Sequence, residues 1–232
     1  HLVRLQIVDH ERYRREIQRQ TERIRQAESR RGTIRDQGGE VLAISVAAKS
    51  VGISAQNRQA GLELLNRISG VLDLGTGELR AIRRRLMRGD GFVWVKRKIA
   101  LREAELLASM NNEVKGASLA LDDDYRRIYP QGRSACHVLG GVGIDEQGLC
   151  GVEYALDKAV RGRGYQVRTL SDARHRVFDM TYLQEPQKGE DVSLTLDLSI
   201  QHVVETALAR TVKAYSARGG SVVVMDVRTG AI

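Results

Sequence analysis

Residues 31–43 decide the fold, and they read Arg-Gly-Thr-Ile-Arg-Asp-Gln-Gly-Gly-Glu-Val-Leu-Ala. Gly38 and Gly39 tolerate the positive φ angles that tight turns require, so this stretch predicts a hairpin joining residues 33–35 to residues 41–43. Apolar side chains continue at strand-like intervals after the turn, as far as Ile53. The second arm of the hairpin is therefore expected to run on as a strand through residues 43–53.

Residues 54–116 predict a small α+β insert. A first helix is expected to present Leu62, Leu65 and Ile68 on one face, and Thr76 is expected to cap a second helix that ends at Gly89. A short strand and a third helix follow. The other side chains expected to face inward are Leu79, Ile82 and Leu86 of the second helix, Phe92 and Trp94 of the strand at 92–95, and Leu101, Ala104 and Leu107 or Ala108 of the helix at 101–110.

The remaining chain mixes helix and strand patterns, which makes the predicted fold class α+β. A polar amphipathic helix is expected to form an arm at residues 1–19, and residues 117–149 look Gly-rich and irregular. Ser199 is expected to cap the strongest helix of the chain. The other predicted elements are a helix at 152–160, strands at 166–169, 176–182 and 192–196, and a strand at 222–225 whose uniformly apolar residues suit burial on both faces.

Composition limits the classes of function. The chain has 232 residues, is 42% hydrophobic and contains two prolines, which favours one large or two modest folded domains. No apolar run is long enough to span a bilayer, and no signal peptide pattern is present. The net charge of +8 favours an anionic partner. A basic face is expected at Arg80, Arg83, Arg84, Arg88 and Arg97. Three interpretations of this face remain open: a solvated face or protein contact, a surface that binds anionic lipid or wall polymer, and a nucleic-acid-binding surface.

The sequence lacks the usual catalytic and ligand-binding signatures. No lysine follows a serine at S-x-x-K spacing, and Arg228-Thr229-Gly230 is interpreted as a turn rather than as a K-T-G motif. Phosphate-binding glycine loops are absent, and the scattered histidines predict no metal site and no cofactor. Cys136 and Cys150 are interpreted as two free, packed thiols in preference to a mutual disulfide.

Three clusters of residues resemble the non-catalytic module of class B penicillin-binding proteins, the peptidoglycan transpeptidases. The first is the stretch at 31–43 quoted above. The second begins Arg-Ile-Tyr-Pro-Gln-Gly at 127–132 and continues Ala-Cys-His-Val-Leu-Gly at 135–140, and the third is Gly-Leu-Cys-Gly-Val-Glu at 148–153. Gln37, where the family usually has Arg, and Cys136, where a second Ala is common, depart from the family pattern. The order and spacing of the three clusters make the resemblance specific from about residue 20 to the end.

The resemblance implies a fold, a function and a place in the cell. It implies an elongated pedestal module at residues 20–190, followed at 191–232 by the first helix and strand of a transpeptidase domain. The chain itself is expected to be catalytically inert and to be part of a longer protein, whose serine nucleophile and activating lysine lie beyond Ile232 and react with D-Ala-D-Ala stem peptides or β-lactams. A transmembrane helix is expected just before residue 1, which places the chain on the outer side of a bacterial cytoplasmic membrane.

The resemblance also implies partners and site residues. The compact insert favours the septal, cell-division branch, and the expected partners are a membrane-embedded glycan polymerase, division or cell-wall assembly proteins, and the protein's own transpeptidase domain. A basic nucleic-acid-binding module, or one that binds another anionic surface, is the competing hypothesis, although no nucleic acid is expected from the resemblance. The residues assigned to structural or interaction motifs are Arg31, Gly32, Asp36, Gly39, Arg127, Pro130, Gly132, His137, Gly140, Gly151 and Glu153.

Glu153 supports a geometric hypothesis. No basic residue lies three or four positions from Glu153, so an arginine partner has to be brought in by the fold. We expect the carboxylate to accept charge-assisted hydrogen bonds from Arg31 or Arg127, which would tie the three clusters together. The alternative is a simple interaction with the dipole at the start of a helix.

Overall fold

The computed structural model describes residues 22–110, 114–171 and 177–232. The predicted arm at residues 1–19 lies outside these ranges. Arg176, the first residue of the predicted strand at 176–182, also lies outside them. The strands are β1 (Glu22–Ala27), β2 (Ile34–Arg35), β3 (Val41–Ala55), β4 (Phe92–Ile99), β5 (Ala117–Ile128), β6 (Gly141–Val142), β7 (Gly148–Cys150), β8 (Tyr165–Ser171), β9 (Val177–Tyr182) and β10 (Val192–Ser193). The helices are α1 (Arg58–Ile68), α2 (Thr76–Arg88), α3 (Leu101–Ser109), α4 (Cys136–Leu139), α5 (Gly151–Ala155), α6 (Asp157–Val160) and α7 (Leu198–Ala214).

This mixture of helices and strands confirms the α+β fold class. The chain divides into two compact units. In the described chain, unit 1 comprises residues 22–27, 47–125 and 164–186, and unit 2 comprises residues 28–46, 126–163 and 187–232. No helix among the described residues is both long and apolar enough to cross a membrane.

Unit 1 contains the predicted insert. Strand β4 pairs antiparallel with the second half of β3, with Ile53 opposite Val93, and helices α1, α2 and α3 contribute apolar side chains to the same core. Strands β1, β8 and β9 form a separate antiparallel sheet in the order β1-β8-β9. The fully buried core side chains of unit 1 are Val51, Ile53, Leu64, Leu65, Ile68, Leu72, Val93 and Leu107.

Some predictions for the insert are wrong in detail. The N-cap of α2 is Gly75, whose backbone N–H donates to the Glu78 carboxylate at 2.9 Å, and Thr76 is the first helical residue. Leu101, predicted to face inward, is 44% exposed at the start of α3. On β4 the inward side chains are Val93 and Val95, because strand residues alternate between faces; Phe92 is 37% exposed and Trp94 is partly buried.

The prediction of an irregular segment at 117–149 is wrong for its first twelve residues. Strand β5 occupies Ala117–Ile128 and pairs with β3. The acidic run at 122–124 obscures the strand pattern, but its charges find partners within unit 1. Asp123 accepts a hydrogen bond from Lys49 at 2.6 Å, and Asp124 accepts one from Ser50 at 2.6 Å.

Unit 2 contains the hairpin that residues 31–43 predict. Ile34 of β2 lies opposite Ala43 of β3 in antiparallel register, and the short strand β10 adds to β2 in parallel. Strand β10 covers only Val192–Ser193, so the predicted strand at 192–196 is confirmed for its first two residues alone. The buried apolar residues of this unit's core are Ile34, Leu42, Ala43, Ala135, Leu139 and Val160.

Three further predictions for unit 2 are wrong. Asp197, not Ser199, caps α7, because its carboxylate accepts hydrogen bonds from the backbone N–H groups of residues 199 and 200. Residues 222–225 are exposed and form no strand, since no described segment supplies a ladder partner. Cys136 and Cys150 are free, as predicted, but both are exposed rather than packed.

Candidate functional site

The most distinctive site in unit 2 is a fully buried carboxylate that joins two arginines. Glu153 lies on α5 and its side chain is 0% exposed. Nη2 of Arg31 donates to Oε2 of Glu153 at 2.7 Å, and Nε of Arg127 donates to Oε1 at 2.7 Å. The predicted ion pair is therefore confirmed, with both candidate arginines engaged at once. We call this group of three residues the Glu153 joint.

Hydrogen bonds to the backbone complete the Glu153 joint. Nη1 of Arg127 donates to the carbonyl oxygen of Gly32 at 2.7 Å, and Nη2 of Arg31 donates to the carbonyl oxygen of Glu153 at 3.2 Å. Nη1 of Arg31 also donates to the carbonyl oxygen of Glu146. A guanidinium offers five N–H donors in a fixed plane, which allows one side chain to hold several chain segments.

Two residues that make hydrogen bonds with the Glu153 joint are not among the site residues predicted from the sequence. Asp157, in the first turn of α6, accepts a hydrogen bond from Nη1 of Arg31 at 2.6 Å, and the Tyr129 hydroxyl lies 3.4 Å from Oε1 of Glu153. Asp157 follows Glu153 by four residues, a spacing that could have pointed to a second carboxylate near the same arginine. The Glu146 carbonyl could not have been found, because every residue carries one.

Burial and charge shift the pKa values around the joint. Burial acts to lower the pKa of Arg31, but its hydrogen bond to Asp157 and the charge of Glu153 outweigh burial and raise that pKa. Burial acts to raise the pKa of Asp157, but the hydrogen bonds from Arg31 and from the Gly148 backbone N–H, together with the charges of Arg31 and Arg161, outweigh burial and lower that pKa. Burial, followed by the charge of Glu153, raises the pKa of Tyr129 to about 12. All three pKa shifts move away from pH 7, so they reinforce the charged states of Arg31 and Asp157 and the neutral state of Tyr129.

Two glycines of the motifs allow the backbone around the joint to pack closely. Gly140 has φ +74°, and a Cβ placed on it would lie 1.9 Å from the carbonyl oxygen of Cys150. Gly151 has φ +62°, and a Cβ there would lie 2.4 Å from the carbonyl oxygen of Val138. Any side chain at either position would overlap backbone atoms, so the motif requires glycine.

Asp36 makes a second connection within unit 2, from the hairpin to α7. One carboxylate oxygen accepts from the Glu40 backbone N–H at 2.8 Å, and the other accepts from the Leu198 backbone N–H at 3.2 Å. Gln37, which departs from the family pattern, donates to Asp197 at 2.8 Å. The turn of the hairpin therefore holds the first residues of the long helix through hydrogen bonds rather than through an ion pair from position 37.

The other motif residues do not reach the Glu153 joint. Gly39 is an exposed turn residue with φ +89°, and Gly132 is an exposed turn residue with φ +61°. Pro130 is exposed beside it, and His137 is exposed on α4. Their assignment as interaction residues stays a prediction.

The basic residues of unit 1 also divide into two groups. Arg80, Arg83, Arg84 and Arg88 share the exposed side of α2. Arg97 lies on β4 instead, where its guanidinium is 3.6 Å from Asp124 and stacks 5.9 Å from the Trp94 ring centre. The described residues contain no group of three or more His, Cys, Asp or Glu side chains arranged to hold a metal ion.

The chemistry available at the Glu153 joint is structural. A general base needs a free lone pair directed at a substrate, but both Glu153 oxygens already accept hydrogen bonds from buried donors. All three side chains of the joint are buried, since Glu153 and Arg31 are 0% exposed and Arg127 is 8% exposed. The arrangement can therefore hold residues 31, 127 and 153 in place, but it cannot bind or activate a ligand.

The fold and the Glu153 joint together define a mixed α/β structural module held by motif residues from three distant parts of the chain. Residues 26–194 match the family described as the penicillin-binding protein dimerisation domain. The chain belongs to this family, which confirms the resemblance found in its sequence motifs.

Relatives that are similar to this chain in sequence include peptidoglycan D,D-transpeptidases. The chain is 30% identical over 207 residues to a probable peptidoglycan D,D-transpeptidase, PenA, of Neisseria gonorrhoeae, covering 87% of this chain and 35% of that protein. It is 27% identical over 221 residues to the peptidoglycan D,D-transpeptidase FtsI of Escherichia coli, covering 90% of this chain and 36% of that protein. The chain thus spans about a third of the length of these relatives.

Solved structures show the same fold. One is a complex of the penicillin-binding protein PBP2 with MreC from Helicobacter pylori, with a TM-score of 0.60 at 18% identity over 82% of this chain and 38% of that one. Another concerns polymerization and crosslinking by a peptidoglycan synthase complex, with a TM-score of 0.51 at 25% identity over 93% of this chain and 37% of that one. At its low identity, the first similarity indicates the fold alone.

Proposed function

We propose that this chain is the non-catalytic pedestal of a peptidoglycan D,D-transpeptidase that acts in cell-wall synthesis and cell division. The observation that carries the proposal is the family match over residues 26–194, joined to relatives that are themselves peptidoglycan D,D-transpeptidases. The Glu153 joint supports it, because the three motif clusters that suggested the family meet at one buried carboxylate. The nucleic-acid-binding alternative receives no support from the relatives.

The proposal includes the organisation of the whole protein. Residues 20–190 form the pedestal and residues 191–232 begin a transpeptidase domain, whose catalytic serine and lysine follow Ile232. The serine attacks the D-Ala-D-Ala carbonyl, releases the terminal D-Ala, and passes the acyl group to an acceptor amine. The protein is anchored in the cytoplasmic membrane with this chain on its outer side. Its partners are a membrane-embedded glycan polymerase and cell-wall assembly proteins.

A labelling experiment tests the catalytic part of the proposal. The 232-residue chain and the longer protein encoded by the same gene are each incubated with a fluorescent penicillin, and covalent adducts are measured by intact mass. We expect a stoichiometric adduct on the longer protein and none on the 232-residue chain, because the latter has no S-x-x-K motif. An adduct on the short chain, or a gene without S-x-x-K after residue 232, would overturn the proposal.

A second experiment separates a structural role for the pedestal from a catalytic one. Glu153→Ala in the longer protein should lower the fraction of molecules that penicillin can acylate, while the folded fraction keeps the normal acylation rate constant. Glu63→Ala is the matched control, since Glu63 forms an exposed i,i+4 pair with Arg67. A lower rate constant in the folded fraction would place Glu153 in the catalytic machinery and contradict the pedestal role.

A further inference from the structure

Helix α2 of unit 1 carries a row of arginines that the fold does not need. Arg80, Arg84 and Arg88 follow one another at four-residue intervals and are all exposed. We call this row the basic ridge. The buried side of the same helix is formed by Ile82 and Leu86, so the arginines contribute nothing to the core.

The basic ridge is poorly neutralised by the protein itself. Arg85 pairs with Asp90 at 3.4 Å, and Arg83 donates to the side-chain oxygen of Asn66 at 3.0 Å. Among the residues that the structure describes, Arg80 donates only to the carbonyl oxygen of Thr76 in its own helix. Within the described chain, Arg84 and Arg88 have no ion-pair partner. Like charges four residues apart destabilise a helix by a few tenths of a kcal/mol per pair.

The helix dipole explains only part of this pattern. Cations stabilise the last turn of a helix, which accounts for Arg85 and Arg88 before the Gly89 cap. Arg80 and Arg84 lie outside the last turn, where the dipole effect has faded. Neither the core nor the helix dipole therefore accounts for the positive charge of Arg80 and Arg84 on the ridge.

We infer that the basic ridge is a docking surface for an acidic helical segment of a partner protein. Four residues of helix rise about 6 Å, so the three guanidinium groups repeat along the axis at the spacing of carboxylates at i, i+4 and i+8 on another helix. Arginine pairs with carboxylates through two parallel hydrogen bonds, which favours it at such contacts. Met87, which is 52% exposed beside Arg84 and Arg88, adds an apolar contact to the charged row.

Charge and shape disfavour other occupants. A second copy of the chain is unsuitable, because the net charge is +8 and the acidic residues Asp123 and Asp124 are already engaged by Lys49, Ser50 and Arg97. A helix that lies on a membrane needs a broad apolar face, and the exposed side of α2 offers only Met87 as a large apolar group. A single short row of arginines would also contact few phosphates of a nucleic acid duplex.

Binding to a designed peptide tests the inference. The probe is a fluorescein-labelled, alanine-rich helical peptide of about 20 residues with Glu at three positions spaced by four, and the control peptide has Gln at those positions. We expect the 232-residue chain to bind the Glu peptide at least tenfold more tightly than the Gln peptide in fluorescence anisotropy. Equal binding of the two peptides would overturn the inference.

Charge-reversal variants locate the contact. Arg84→Glu with Arg88→Glu should weaken binding of the Glu peptide at least tenfold. Arg133→Glu with Arg210→Glu changes the net charge equally at exposed sites in unit 2 and should change binding less than twofold. Equal losses in both double variants would assign the binding to overall charge and overturn the ridge. Arg84→Lys with Arg88→Lys keeps the charge but removes the planar donors, and we expect a threefold to tenfold loss.

Two other ligands complete the test. Vesicles containing 30% phosphatidylglycerol and a 20-base-pair DNA duplex are titrated against the same proteins at the same salt concentration. One outcome is that the vesicles or the duplex bind the unmodified chain more tightly than the Glu peptide does. If the double variant Arg84→Glu with Arg88→Glu then no longer binds that ligand, the ridge is a phosphate-binding surface and the inference is wrong. This result would leave the penicillin-labelling test of the proposed function untouched, so the two proposals can fail separately.

Discussion

Glu153→Ala should be among the most damaging substitutions in unit 2. The Glu153 carboxylate is 0% exposed and accepts from Arg31 and Arg127, each at 2.7 Å. Its removal leaves Arg31 with Asp157 and two carbonyl oxygens, but it leaves Arg127 without an anionic partner in a buried position. Breaking a buried pair costs about 3–5 kcal/mol, so we expect a loss of about 4 kcal/mol in the free energy of unfolding of unit 2.

Hydrogen exchange measures this loss directly, because the two units need not unfold together. Amides in residues 28–46 and 126–163 that exchange only through unfolding of unit 2 should exchange about 1,000-fold faster in Glu153→Ala, since each 1.4 kcal/mol corresponds to a factor of ten. Glu153→Gln keeps the shape and one acceptor oxygen and should cost roughly half as much. Glu63→Ala, at an exposed pair, should cost less than about 0.5 kcal/mol. If Glu153→Ala and Glu63→Ala gave the same exchange rates, the buried-charge argument would be refuted.

The other predictions concern backbone packing, pH and thiols. Gly140→Ala should destabilise unit 2 by at least about 2 kcal/mol in urea unfolding, whereas Gly39→Ala, with a positive φ but open space, should cost only about 1 kcal/mol; equal losses would contradict the role of close packing. Because the folded-state pKa of Asp157 is lowered, its contribution is present above the unfolded pKa of about 4 and is lost as the pH falls through the folded-state value. The urea midpoint of Asp157→Asn should therefore fall less steeply below pH 4 than that of the unmodified protein, and identical slopes would show that Asp157 is not responsible. Native protein should react with two equivalents of a thiol reagent at Cys136 and Cys150, and protection of either thiol would contradict their exposure.

The hairpin, the α+β class and the Glu153 joint were predictable because local patterns and motif spacing agree with the tertiary structure. Gly38 and Gly39 point to a turn whatever surrounds them, and the register that pairs Ile34 with Ala43 follows from it. The two arginines of the joint became candidates because each belongs to a motif cluster with its own family pattern.

The errors occur where tertiary contacts override a local pattern. The acidic run at 122–124 looks like a loop until Lys49 and Ser50 supply its partners. Asp197 and Ser199 are both good capping residues, and only the backbone geometry distinguishes them. Conversely, residues 222–225 have strong strand propensity, but a strand forms only where a neighbouring ladder accepts its hydrogen bonds.

The long sequence separations at the Glu153 joint set an order of events during synthesis. Arg31 leaves the ribosome 122 residues before Glu153, so its partner does not exist until most of the chain has been made. The main core of unit 1 is drawn from residues 51–121 and can assemble during that interval. Unit 2 can close only afterwards, because it also needs residues 126–163 and 187–232, which are made later. Until then Arg31 and the hairpin strands lack the partners that bury them, and they remain exposed to chaperones and proteases while the rest of the chain is made.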